Sequence, residues 1–153
     1  MALIVNTNSY ISRADANTYF SDRLNSAEWT NATDADKDAS LIQATKIIDG
    51  MTFTGKKYSS TQALKLPGTE MYYGGYLLDA TIVPQQVLDA TCEFAIWLLQ
   101  DDYTAPDDLM NFESVTLGTI EVQTKVSSGK NYPPMVTMLL SSFVDSSLRL
   151  VRG

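Results

Sequence analysis

The side chains of this 153-residue chain that could do chemistry are few, and what is missing narrows the choice as much as what is present. There is no histidine. Catalysis would therefore have to rest on carboxylates, lysine or tyrosine, without the commonest general base and metal ligand. The single cysteine, Cys92, falls inside an apolar helical pattern. It cannot form an internal disulfide and has no histidine to activate it, so it reads as a small core residue. Two aspartate pairs, Asp101-Asp102 and Asp107-Asp108, could meet a hard cation, but "QDDYTAPDD" lacks the ligand spacing and turn glycine of a calcium loop. They read as solvated loop carboxylates. No catalytic residue, metal site or cofactor is assigned, and an enzyme is not expected.

Charge bears on partners. The net charge is -7 and the pI about 4.4, whereas a nucleic-acid binder draws most of its affinity from basic groups that neutralise phosphates. Lys56-Lys57 and Arg149 with Arg152 are the nearest approach to basic clusters, and solvated surface is the simpler role for each pair. The remaining candidates are aromatic. Met51 to Val83 carries glycine, proline, serine and tyrosine without a sustained period, and holds Phe53, Tyr58, Leu64, Leu66, Tyr72, Tyr73 and Tyr76. It reads as an ordered loop with at most one helical turn at "SSTQAL". Long loops in compact domains are often functional, and this one must pack against its own helices or a neighbouring subunit.

The elements that position these residues are mostly helical. At 44% hydrophobic residues the chain suits one domain, residues 1–153, around one core. It has no run of eighteen apolar residues, and Met1 to Val5 is too short and uncharged for a signal peptide, so neither a membrane span nor secretion is expected. Ser12 with Asp15, and Thr33 with Asp36, read as helix-capping boxes. The first helix then places Ile11, Ala14, Thr18 and Tyr19 along one side. The second carries Ala39, Leu41, Ile42, Thr45, Ile47 and Ile48 and stops at Gly50. After Pro84, the residues Val87, Leu88, Thr91, Phe94, Ala95, Leu98 and Leu99 mark the central helix. Strict alternation through Ile120, Val122, Thr124 and Val126 predicts a half-buried strand, paired with Val115 to Leu117 in a small hairpin. Such a hairpin is marginal alone, so a neighbouring chain could complete it. Pro133 and Pro134 open a last helix whose Met135 and Met138 read as gap-filling core. Residues 145–153 form an apolar and basic arm. The expected fold is mainly α: a small bundle of about four helices, a long ordered loop and a small β-hairpin.

The order of these parts has a resemblance. "DANTYFSDR", "LIQATKIIDG", the string Phe53, Gly55, Ser59, Gln62, Ala63, Leu64 and Pro67, and "VPQQVLDATCEFA" together resemble a family of tailed-phage head–tail connector proteins, also called head-completion or adaptor proteins. The strand "GTIEVQ" and the final "VRG" also fit, and "TQALKLP" with "VPQQVLDATCE" is the most specific part. Leu66 stands where the family usually has tryptophan. The resemblance implies a virion protein assembled in the host cytoplasm. It would form a ring, commonly of twelve copies, beneath the portal protein and would receive the tail or a tail-completion protein. DNA would pass through the channel without specific binding, as an acidic lining favours. Members of the family are also described as DnaT-like single-stranded-DNA-binding proteins, which gives an alternative function.

On the connector reading, Tyr58, Leu66, Tyr72 and Tyr73 with Ile120, Val122 and Thr124 make subunit contacts. Leu148, Arg149, Leu150, Val151 and Arg152 contact the portal. On the alternative reading, tyrosines stack on bases while Lys56, Lys57, Arg149 and Arg152 meet phosphates.

Overall fold

The computed structural model of the chain describes residues 2–100 and 132–144. Its elements begin where short polar side chains can cap a helix. The Ser12 hydroxyl accepts the Asp15 backbone N–H at 3.0 Å and starts α1 (Arg13–Ser21). Thr33 does the same for Asp36 at 3.1 Å and starts α3 (Asp34–Asp49). Both cap residues have extended backbone, as an N-cap requires, and such caps contribute about 1 kcal/mol each. Between them lies α2 (Ala27–Thr30). At four residues it is too short to show a period in the sequence.

The core forms around α4 (Gln85–Gln100), which is packed by α1, α2, α3 and α5 (Pro134–Leu140). In α4, Val87 and every residue from Ala90 to Ile96 are buried. A helix apolar on nearly every side belongs in the middle of a bundle. From α3, Leu41, Ala44, Thr45 and Ile48 are buried at spacings of three and four; of the predicted stripe Leu41, Thr45 and Ile48 face inward, Ile42 and Ile47 are half-buried, and Ala39 is exposed. On α1 the inward residues are Ala16 and Phe20, whereas Ala14 and Thr18 of the expected stripe are exposed. Thr18 bonds instead to the Ala14 carbonyl at 3.2 Å. Phe20 stacks on Trp29 of α2 with ring centroids 4.5 Å apart, and the Trp29 indole N–H donates to Asn17 Oδ1 at 2.8 Å. That pair gives the single turn of α2 its anchor.

The last helix corrects the expectation for its methionines. Val136, Leu140 and Phe143 are buried, while Met135 and Met138 are 44% and 62% exposed. The step of four from Val136 to Leu140 sets the inward face, which turns residues 135 and 138 outward.

The segment expected as a loop contains two short antiparallel ladders. Strand β1 (Lys56–Lys57) pairs with β2 (Gly68–Thr69), in register Lys56 to Thr69. Strand β3 (Tyr72–Tyr73) pairs with β4 (Tyr76–Leu77), in register Tyr73 to Tyr76. "SSTQAL" is a turn, not a helix. The fold is thus mainly α with small β-hairpins. The predicted hairpin of Val115 to Val126, with Ile120, Val122 and Thr124, and the arm with Leu148 to Arg152 lie outside the described residues.

Candidate functional site

Residues 51–83 are held in shape by a few polar contacts that the sequence marks only by residue type. The Gln62 side chain is the central one. Its Oε1 accepts the Ser59 N–H at 2.9 Å, and its Nε2 donates to the carbonyls of Leu64 and Pro67 at 2.7 and 2.9 Å. One amide thus closes the loop between β1 and β2 on itself. Asp49, at the end of α3, fastens that loop to the bundle: its Oδ1 accepts from the Tyr10 hydroxyl at 2.6 Å and from the Lys65 N–H at 2.7 Å. Burial first, and the Asp49 carboxylate second, push the Tyr10 hydroxyl far above an ordinary phenol. The Lys65 ammonium donates to the Met51 carbonyl at 2.8 Å.

Close packing under the first ladder requires glycine. A Cβ on Gly68 would lie 2.6 Å from the Lys56 carbonyl oxygen, and one on Gly55 would overlap the Thr69 carbonyl and the buried Met71 side chain. Leu64 and Leu66 point into the core at 7% and 2% exposure. Leu66 therefore presents no side-chain surface to a neighbour, which corrects its placing among the subunit contacts.

The second ladder faces water. Gly74 and Gly75 both have positive φ, +61° and +85°, the backbone of a two-residue hairpin turn that glycine adopts without penalty. On either side stand Tyr72, Tyr73, Tyr76 and Leu77, exposed at 55%, 45%, 79% and 62%. Tyr73 also leans on Phe143 of the core at 6.0 Å between ring centroids. Tyr58 and Ile82 are exposed as well. Large apolar side chains gathered in one segment of a small domain signal a contact surface more strongly than scattered ones do. Tyr58, Tyr72 and Tyr73 were legible as contact candidates, whereas Tyr76 and Leu77 follow from the "YYGGYL" turn pattern read as a hairpin. The segment holds Lys56, Lys57 and Lys65 against Glu70 and Asp79, and is therefore locally positive in an acidic chain. Lys56 lies 3.9 Å from Glu70, with both side chains exposed.

A second constellation lies between α1 and α4. Glu93 is 5% exposed, and its carboxylate accepts from the Tyr19 hydroxyl at 2.5 Å and from Arg23 Nε and Nη2 at 2.8 and 3.1 Å. Arg23 Nη1 also donates to the carbonyls of Leu24 and Asn25. Burial and the Glu93 hydrogen bond push the Tyr19 hydroxyl well above an ordinary phenol, and the same carboxylate strengthens the Arg23 cation. These three groups neutralise and satisfy one another, which is the arrangement of a structural pin. They sit in a groove of about 820 Å³. Cys92 is buried beside them, and burial raises its thiol far above the reactive range. Among the described residues no three histidine, cysteine or acidic side chains are grouped to hold a metal, and no helix is long and apolar enough to cross a membrane.

Compared with known proteins, residues 1–153 match the family described as "putative DnaT-like ssDNA binding protein". No curated protein and no solved structure matches the chain significantly.

Proposed function

The chain belongs to this DnaT-like family along its whole length, and from that premise we propose that it acts by contact rather than catalysis, with residues 51–83 as its working surface. The reading we favour is a structural one. The chain would be a head–tail connector that meets copies of itself through Tyr58, Tyr72, Tyr73, Tyr76 and Leu77, and a portal protein through Leu148 to Arg152. The observation that carries it is the character of the exposed face: aliphatic Leu77 and Ile82 stand with the tyrosines at about 60% exposure. Aliphatic side chains gain from burial against protein and have no stacking role on a base. A net charge of -7 agrees with a DNA-conducting channel that does not hold its cargo. Replacing Tyr72, Tyr76 and Leu77 together with serine tests the reading. Assembly with itself or with a portal ring, followed by native mass spectrometry and electron microscopy, should fail while the helical fold persists. Unchanged assembly would overturn the reading.

A second reading has a specific observation behind it. The family description supports single-stranded DNA as the partner more directly than it supports a ring, and the same segment places Lys56 and Lys57 among exposed tyrosines. Stacking would then supply most of the affinity. With two lysines on phosphates, the dependence of log K on log salt would have a slope of roughly -1.4. A dT oligonucleotide titration at several salt concentrations discriminates the two. Micromolar binding that is lost on substituting Tyr72 and Tyr76 favours the second reading, and no binding at low salt favours the first.

A further inference from the structure

The groove between α1, the start of α4 and α5 has a chemistry that complements the tyrosine hairpin. Ile11, Leu88 and Met135 give it apolar surface, and Leu24 stands among its lining residues at 85% exposure. Its carboxylates, Asp15, Asp22, Asp89 and Glu93, face Arg23 as the only cation of the lining. Arg23 is committed to Glu93, which leaves the three aspartates without an ion pair among the described residues. The groove is thus apolar and anionic. The hairpin side carries the opposite sign. Lys56 and Lys57 of β1 pair with β2, whose Thr69 is separated from Tyr72 of β3 by at most about 11 Å of chain. The Lys56 side chain, 81% exposed, reaches Glu70 only at 3.9 Å.

Within one chain the two surfaces are held apart. Tyr73 leans on Phe143, past the C-terminal end of α5, whereas Met135 lines the groove at the start of that helix. No hairpin residue lines the groove. The groove that this hairpin can enter is therefore another copy's. Hairpin against hairpin would instead set Lys56 and Lys57 of both copies side by side, and like charges across an interface oppose association.

We propose that the hairpin of one copy docks in the groove of the next, Tyr76 and Leu77 against Leu24, Leu88 and Met135, with Lys56 and Lys57 toward Asp22 and Asp89. The inference rests on the structural reading, in which the hairpin meets another copy, and names the surface that it meets. A contact between two different patches of one chain is heterologous. Repeated, it builds a closed ring or an open filament and not a two-fold dimer.

Charge reversal in the full chain tests the proposal, with self-association followed by sedimentation velocity and native mass spectrometry. K56E with K57E, and separately D22K with D89K, should each weaken self-association about tenfold or more. Mixing the two variant chains should restore it, since each hairpin then meets a groove of opposite sign, and so should one chain that carries all four reversals. Without any charge change, a mixture of Leu24→Cys and Tyr76→Cys chains should form a mixed disulfide dimer about tenfold faster than either chain alone, because docking holds the two thiols at a high effective concentration. Buried Cys92 takes no part. Self-association that is lost with serine at Tyr72, Tyr76 and Leu77 yet indifferent to D22K with D89K, or cysteine chains that crosslink as fast alone as mixed, would overturn the proposal and leave the structural reading standing. A chain that stays monomeric at every concentration, or oligomers that survive the serine substitutions, would overturn both.

Discussion

Arg23 and Glu93 give the most quantitative test of how this fold is held. Arg23→Met keeps the length of the aliphatic stem but removes both guanidinium bonds to Glu93, at 2.8 and 3.1 Å. The Glu93 carboxylate, 6% exposed, would be left on a helix otherwise buried along this stretch, with only the Tyr19 hydroxyl as partner. Removing one member of a buried pair costs about 3–5 kcal/mol. The Arg23 side chain is 29% exposed, so water can reach the site and the lower end, about 3 kcal/mol, applies. For a chain of this size that corresponds to a fall in Tm of roughly 6–12 °C. Urea unfolding followed by tryptophan fluorescence is a suitable assay, since Trp29 stacks on Phe20 of the same helix that carries Arg23's neighbours. The m-value should not change while the midpoint falls. Arg23→Met combined with Glu93→Met should recover most of the loss, because the buried charge is gone with its partner. A single variant within about 0.5 kcal/mol of the parent, or a double variant worse than the single, would refute the pin and leave the cluster as surface decoration.

Three further outcomes follow from the same geometry. Gln62→Ala removes three hydrogen bonds from the loop between β1 and β2 and should cost about 1–2 kcal/mol, with faster amide exchange confined to residues 56–69. Gly68→Ala, whose methyl group would meet the Lys56 carbonyl, should destabilise by about 1–3 kcal/mol, whereas alanine at Gly74 meets no atom and is penalised only by its positive φ. Tyr10 and Tyr19 are both held above the ordinary phenol value of 10.0, so the folded chain keeps two protons that the unfolded chain releases. Their contribution is complete below pH 10 and is lost as pH rises beyond it. Ultraviolet titration should show both phenols ionising only with unfolding, and Tyr19→Phe should flatten the alkaline fall in stability.

The sequence was readable where one residue type has one physical use. Ser12 and Thr33 read as caps because their hydroxyls satisfy orphan N–H groups, and both do so. The central helix was legible from the density of apolar residues between Val87 and Leu99. Other features depend on partners far away in the chain. Glu93 stands in the string that carries the family resemblance, yet only the meeting of α1 with α4 buries it against Tyr19 and Arg23. The outward turn of Met135 and Met138 was invisible because periodicity does not say which of two apolar stripes packs. Gln62 stood in the string that carries the family resemblance, yet its role as a loop clasp appears only when the carbonyls of Leu64 and Pro67 converge on its amide. For the candidate site, the aromatic content of residues 51–83 was plain, whereas the division into buried Leu66 and exposed Tyr76 required the hairpin to be seen.

Native mass spectrometry of the full chain mixed with a dT oligonucleotide tests the central claim most directly, because it weighs both partners in one spectrum. If the hairpin face of Tyr72, Tyr73, Tyr76 and Leu77 is a protein contact, the spectrum will show higher oligomers of the chain free of oligonucleotide, and serine at Tyr72, Tyr76 and Leu77 will return them to monomer. Monomers carrying one oligonucleotide each, with no oligomer at any protein concentration, would contradict the structural reading and leave single-stranded DNA as the partner of that face.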